Sequence, residues 1–394
     1  MRILRSIHTL NPAAGGPIES VTRSSIVLSR LGHEVQIISL DGPDDPWLRQ
    51  TGLTVHALGP GRGSYGYAPR FLPWIRQHHH EFDAVLVQGL WQYTSFAVWR
   101  ALHGTATPYF VFPHGMLDPW FKRTYPLKHV KKLLYWPWAE YRVLRDAAAV
   151  LFTSEEERRL ARESFSLYRC NEKVVSYGTT PPAADLQAAR EEFFHHFPQL
   201  QGKRLLLFLG RLHEKKGCDL LIQAFLALHR SGRCDPALHL VIGGPSSDDA
   251  YLRHLRRLVE LAPRHDRNGP PVTFTGMLGG PLKWGAFAAA QAFILPSHQE
   301  NFGIAVVESL ACGTPVLISN KVNIWREIVD DGAGFAEEDD VEGTARLIER
   351  WLVTPEIERE RMRENARKCF ERRFHIERAV ESLLQVLRDS TKGR

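Results

Sequence analysis

An α/β protein built from two Rossmann-like halves is the fold class this sequence predicts, and three observations predict it. Apolar runs of strand length alternate with longer amphipathic stretches through the first half of the chain. A break rich in Pro and Gly, Tyr177-Gly178-Thr179-Thr180-Pro181-Pro182, then interrupts the alternation, which restarts after it. The 394 residues also exceed what one hydrophobic core usually organises. Strands alternating with helices imply parallel sheets. In open sheets of that kind, ligands bind outside the carboxyl ends of the strands. The expected domains are residues 1–177 and 183–374, facing each other across a cleft.

The elements follow in order. Residues 3–7 form the first strand, and Gly15-Gly16-Pro17 the turn after it, with Pro17 suited to the first turn of a helix through about residue 31. Further strands are expected at 35–40, 53–57, 83–87, 109–112 and 146–152. Ser154 and Glu157 read as a capping box for the next helix. In the second half, residues 204–209 are a strand, and a helix follows Gly217. Residues 239–242 run into Gly243-Gly244-Pro245, and 272–275 into Gly276. The run 292–295 is a buried strand ended by Pro296, and another strand begins at Pro315. Helical patterns close the chain after about residue 341.

Composition narrows the function classes. Hydrophobic residues make up 44% and charged residues 24%, as in soluble domains. Five cysteines without a C-x-x-C pair suggest reduced thiols in the cytoplasm, not a disulfide framework or a metal centre. No apolar run is long enough to span a membrane, and the start of the chain lacks a signal-peptide core. The net charge of +6 sits in the first 180 residues, with 21 Lys+Arg against 15 Asp+Glu, while the remainder is balanced at 29 against 29. Residues 121–145 concentrate it: Lys122, Arg123, Lys128, Lys131, Lys132, Arg142 and Arg145 interleave with Phe121, Tyr125, Tyr135, Trp136, Trp138 and Tyr141. That pattern suits an anionic membrane surface, on the inner face of the membrane for a cytoplasmic protein. A solvated helix with an aromatic core face explains it equally well, and nucleic acid is not the expected partner.

Residues 297–316 carry the most chemistry. Glu300 and Glu308 stand eight positions apart around a helix start, with Asn301, Phe302, Gly303 and Ile304 between them. The N–H groups at 302–304 would face a diphosphate at the helix N-terminus. Glu308 would lie roughly 7 Å further along, at about 1.5 Å per residue, within reach of the ribose of the same nucleotide. Glu300 would lie towards the attached sugar. Without a ligand, Glu308 is an ordinary helix residue and Glu300 an acid favoured by the helix dipole. The apolar neighbours Ala305, Val306, Val307, Leu310 and Ala311 argue that a carboxylate at 308 needs a partner. A second element, Gly210-Arg211-Leu212-His213-Glu214-Lys215-Lys216-Gly217, places an Arg and a Lys in a strand-end loop suited to clamp phosphate. His114, in Pro113-His114-Gly115, lies at another strand end, and Asp118 after it is a weaker polar candidate. Gly15 and Gly16 do not complete a G-x-G-x-x-G motif, so a nicotinamide site is not expected.

These segments resemble the family-4 retaining glycosyltransferases of GT-B fold, the glycosyl transferases group 1. The resemblance rests on Glu300, the seven residues to Glu308 and the following Ala311-Cys312-Gly313-Thr314-Pro315-Val316, together with Gly210-Arg211-Leu212 and Lys216-Gly217. It implies that Arg211 and Lys216 bind the diphosphate, Glu308 the ribose, and Glu300 and His114 the donor sugar. Gly15 and Gly16 would close over the phosphates. Gly243, Gly244, Gly276, Met277, Leu278 and Asn323 would line the donor site, with the base held after Gly276. It further implies a metal-independent, retaining hexosyltransferase without a cofactor, using a UDP- or GDP-type sugar donor. The acceptor would be a saccharide, as a lipid-linked intermediate in surface polysaccharide assembly, lipopolysaccharide or exopolysaccharide. A last helix, about 375–394, would return to the first domain. Two rival readings are a nucleotide-sugar epimerase of the same fold and a non-enzymatic basic module for membrane or nucleic acid.

Overall fold

The computed structural model describes residues 1–12, 15–183, 185–235, 237–246, 248–261 and 271–392. These form two compact units, Met1–Gly178 together with the chain from Ile376, and Thr179–His375. Each is a doubly wound parallel sheet with helices on its faces, so both halves are Rossmann-like.

The first sheet contains β1 (Arg2–Ile7), β2 (Glu34–Ser39), β3 (Thr54–Ala57), β4 (Ala84–Gln88), β5 (Tyr109–Phe112), β6 (Ala149–Phe152) and β7 (Glu172–Val174). Their order is β3-β2-β1-β4-β5-β6-β7, every neighbour parallel. The central strands β4, β5 and β6 are buried throughout, as expected for strands covered on both faces. Alternation decides which face each residue joins. Leu4, Val85, Val87 and Val111 enter one core cluster, while Ile3, Ala84, Leu86 and Phe110 enter the other. The second cluster is completed by Ile376, Val380, Leu383, Leu384 and Leu387 of the helix Ile376–Lys392. That helix packs beside the helix Gly16–Arg30, which starts with Pro17 in its first turn.

The second sheet contains β8 (Arg204–Leu209), β9 (Leu238–Gly243), β10 (Val272–Gly276), β11 (Ala290–Leu295), β12 (Val316–Ser319) and β13 (Gly334–Glu337). It has the order β10-β9-β8-β11-β12-β13 and is likewise all parallel. In each sheet the order reverses beside the first strand, which is where a doubly wound sheet opens a crevice for a ligand. In the second unit the reversal lies between β8 and β11, so the loops after these two strands are neighbours.

The Ser154–Glu157 capping box is corrected in one respect. Ser154 Oγ accepts from Glu157 N at 3.0 Å, but the Glu157 carboxylate reaches past Ser154 to Thr153 N at 2.7 Å and Thr153 Oγ1 at 2.8 Å. Its other oxygen accepts from Gly115 N at 2.6 Å, so this acid also anchors the loop that carries His114.

Candidate active site

In the second unit, glycines draw the strand ends together. Gly210 N donates to Gly243 O at 3.0 Å, and Gly244 N donates to Gly276 O at 2.7 Å. Gly244 has φ +137°, and a Cβ there would lie 1.8 Å from Gly210 O, so only glycine fits. The loop then folds back through Leu212 N to Pro245 O at 2.8 Å. His213 Nδ1 accepts from Lys215 N at 3.0 Å and caps the single turn Glu214–Lys216. Gly217 follows in a left-handed conformation, and a Cβ there would come within 2.1 Å of Pro296 O.

That close approach joins the phosphate-clamp loop to the segment after β11. Lys215 O accepts from Ser297 Oγ at 2.9 Å and from His298 N at 2.8 Å. Across this seam Lys216 Nζ meets Glu300 Oε2 directly. Glu300 is fixed through its backbone too, its N donating to Lys321 O at 3.0 Å and its O accepting from Asn323 N at 2.9 Å. Asn323, buried, donates through Nδ2 to Asn301 Oδ1 at 3.3 Å. Burial, then the positive charges of Lys215 and Arg211, press the Lys216 ammonium below its usual range.

Gly303, with φ +74° and ψ +69°, is the N-cap of the helix Ile304–Ala311. The first N–H groups of this helix have no partner within it, so its start can receive an anion. Phe302 is buried beneath this turn. Glu308 is not an exposed helix residue: it is 3% exposed, and Lys283 Nζ pairs with its Oε1 at 2.6 Å. Lys283 also lies 4.4 Å over the Trp284 ring. Arg211 is exposed at the mouth of the loop. Of the other predicted lining residues, Leu278 is buried and Met277 is exposed. The structure thus brings Lys216, Glu300, Asn301, Gly303 and Asn323 together, while Glu308 stands one to two turns along its helix with its own counter-ion.

The first unit holds the remaining candidates. His114 has φ +50°, a strained setting for a non-glycine residue, and donates from Nε2 to Gln88 Oε1 at 2.8 Å. It stacks on Phe112, centroids 5.6 Å apart at 12°, with Tyr177 edge-on at 5.8 Å. Burial, and secondarily the charge of Arg5, pull its pKa down to about 4, so the ring is neutral at physiological pH. Gly15 takes φ +109° as N-cap of the helix Gly16–Arg30, with open space where a Cβ would be. Asp118 serves the chain locally: its Oδ1 accepts from Trp120 N at 2.8 Å at the start of the helix Trp120–Thr124.

Reasoning from the sequence missed Lys283, Gln88 and Glu157. Lys283 had a signal, as the one cation in the otherwise apolar stretch 280–289. Gln88 had none, and for Glu157 the capping-box pattern gave no hint of its bond to Gly115 N, because each of these contacts joins neighbouring strand ends.

Comparison with known proteins agrees with this geometry. Residues 189–369 match the family described as glycosyl transferases group 1, and residues 15–178 match the glycosyl transferase 4-like domain. The chain is 27% identical over 411 aligned positions to a GDP-mannose-dependent alpha-(1-6)-phosphatidylinositol dimannoside mannosyltransferase of Mycobacterium tuberculosis, covering 98% of this chain and 96% of that one. It is 28% identical to an alpha-D-kanosaminyltransferase of Streptomyces kanamyceticus, over 64% of this chain and 63% of that one. Among solved structures, the sucrose-phosphate synthase of Thermosynechococcus elongatus aligns over 100% of both chains, with TM-score 0.77 and 19% identity. HepE of Anabaena, in complex with UDP and glucose, aligns over 99% of this chain and 100% of that one, with TM-score 0.76 and 18% identity. The two structural likenesses speak to the fold, and the two family matches together take in most of the chain. The chain belongs to the family-4 glycosyltransferases of GT-B fold, the glycosyl transferases group 1.

Proposed function

We propose that this glycosyltransferase moves a hexose from a nucleoside-diphosphate sugar to a hydroxyl of a lipid-linked saccharide, with retention at the anomeric carbon and without a metal. The Lys216–Glu300 contact carries the reading, because it sets the phosphate-clamp loop against the helix-start carboxylate. A diphosphate at the N-terminus of the helix Ile304–Ala311 competes for Lys216, and Arg211 closes on it as a forked donor. Glu300, released from its lysine, then accepts hydrogen bonds from the sugar hydroxyls, and Glu308 with Lys283 takes the ribose side. As the sugar bond breaks, negative charge grows on the leaving diphosphate, and Arg211, Lys216 and the helix N-terminus stabilise it. Attack on the face the diphosphate leaves delivers the acceptor proton to a phosphate oxygen and retains the configuration.

The named activity of the mycobacterial relative makes GDP-mannose the first donor to test, and the ligand in the HepE complex makes UDP-glucose the second. The acceptor reading rests on the basic segment. The helix Pro126–Tyr135 buries none of its residues, and Leu127, Val130 and Leu134 are exposed beside Lys128 and Lys131, with Trp138 exposed just beyond. Next to it lies a cavity of about 50 Å³ lined in part by Lys122, Tyr125, Lys128, His129 and Lys132. Apolar side chains flanked by lysines suit the surface of an anionic bilayer. Among the described residues no helix is long and apolar enough to cross a membrane.

Incubation with each nucleotide sugar and a polyprenyl- or phosphoinositide-linked acceptor, with and without EDTA, tests the reading. The expected result is a glycosylated lipid whose anomeric coupling by NMR matches the donor and which forms in EDTA. An inverted product, a trapped glycosyl-enzyme or loss of transfer in EDTA contradicts the mechanism.

A further inference from the structure

A second cavity lies within the first unit and is built around an uncompensated charge. Arg5 is on β1, on the face that packs against the helices Gly16–Arg30 and Ile376–Lys392, and is 3% exposed. Its Nη1 donates to Val21 O at 3.2 Å and to Ser24 Oγ at 2.8 Å. Both acceptors are neutral, and among the described residues no carboxylate pairs with Arg5. Its Nε–H is buried without any acceptor. An unpaired buried guanidinium is costly, and burial pulls its pKa down to about 10.

The cavity beside it measures about 20 Å³ and is lined by Arg5, Ser20, Gln88, Ser176, Tyr177 and residues of the last helix. Gln88, 5% exposed, also has a buried Nε2 without an acceptor, since its Oε1 is the end that holds His114. Two N–H donors without an acceptor, one of them cationic, therefore border one small space, whose other polar lining is the hydroxyl groups of Ser20, Ser24, Ser176 and Tyr177. Buried donors are rarely left this way, because each costs about 1–3 kcal/mol unless something accepts. Roughly 10–15 Å³ is the room one water needs on this measure, so the space takes a single small sphere.

We propose that this cavity is a binding site for a monatomic halide of chloride size, held by Arg5 Nε–H and Gln88 Nε2–H. The anion neutralises Arg5 and fixes the Gln88 amide, which in turn orients His114. Because Ser176, Tyr177 and Gly178 line the same cavity, it also ties the last helix to the end of the first unit. The site is independent of the donor reading.

Thermal unfolding in sodium chloride against sodium gluconate at equal ionic strength, with diffraction from crystals grown in bromide, tests it. The expected results are a melting temperature about 2–4 °C higher in 100 mM chloride, the size of shift that roughly tenfold saturation of one site gives, and an anomalous bromide peak inside the cavity. Gln88→Leu, which keeps the volume and removes the donor, should lose the chloride shift. Equal melting temperatures without a peak mean that water fills the cavity, and a peak without a shift means an adventitious ion only; either overturns the proposal. So does a chloride shift that survives Gln88→Leu.

Discussion

At the scale of single residues, the site depends on which charges face each other, and that depends on pairs distant in sequence. Glu308 was legible as a carboxylate needing a partner, because its helix is otherwise apolar. Which cation answers it was not legible, because Lys283 reaches it only once two helices are packed. Removing that cation should show: Lys283→Met takes away the positive charge beside a buried carboxylate and should cost about 3–5 kcal/mol in urea unfolding. The double variant with Glu308→Gln should regain most of it, and a silent single variant would mean the pair carries no buried charge. His114 gives a pH test. Its folded pKa of about 4 lies below the ordinary value near 6.5, so the unfolded chain binds the extra proton first. Its contribution is fully present above about pH 6.5 and is lost as pH falls towards 4, on the order of 1–3 kcal/mol. Asparagine tolerates φ +50°, so His114→Asn should flatten that limb of the stability–pH curve relative to the parent. Parallel curves for the two proteins would show that the imidazole is not held neutral by burial.

At the scale of elements, the buried strands announce themselves, whereas only two of the four edge strands, Thr54–Ala57 and Val272–Gly276, do. Residues 109–112 and 292–295 are continuous apolar runs, and their strands sit inside the sheets. The edge strands Glu172–Val174 and Gly334–Glu337 were not foreseen, because short segments with charged and half-exposed residues have no apolar signature. The seam between the loops after β8 and β11 was equally invisible, since it rests on Gly217 lying against Pro296 O. Gly217→Ala, strained by φ +66° and by that contact, should shift Lys216 from Glu300. Sugar transfer should then fall at least about tenfold, with melting lowered by only a few degrees. Unchanged kcat/KM would disconnect the seam from catalysis. For the helix Pro126–Tyr135, Leu134→Glu adds charge at an exposed apolar position, so it should reduce cosedimentation with anionic vesicles several-fold and leave stability within about 0.5 kcal/mol. Vesicle binding that is unaffected, or equal for neutral and anionic lipid, would remove this helix from the membrane reading.

At the scale of the whole molecule, the repeated strand–helix alternation on either side of the Pro/Gly break made two doubly wound sheets legible. Strand order was not, because periodicity reports burial and not neighbours. The proposed donor site lies in the part of the chain where both kinds of information meet: the loop after β8 and a helix start, far apart in sequence, made adjacent by the reversal of strand order between β8 and β11. The central claim is that Arg211 and Lys216 hold the diphosphate of a nucleotide sugar there. Calorimetric titration of GDP and UDP into the parent protein and Arg211→Ala tests it most directly. The account predicts saturable binding of at least one nucleotide by the parent, weakened at least tenfold, or about 1.4 kcal/mol, in the variant. Binding of neither nucleotide, or equal affinity in both proteins, would contradict it.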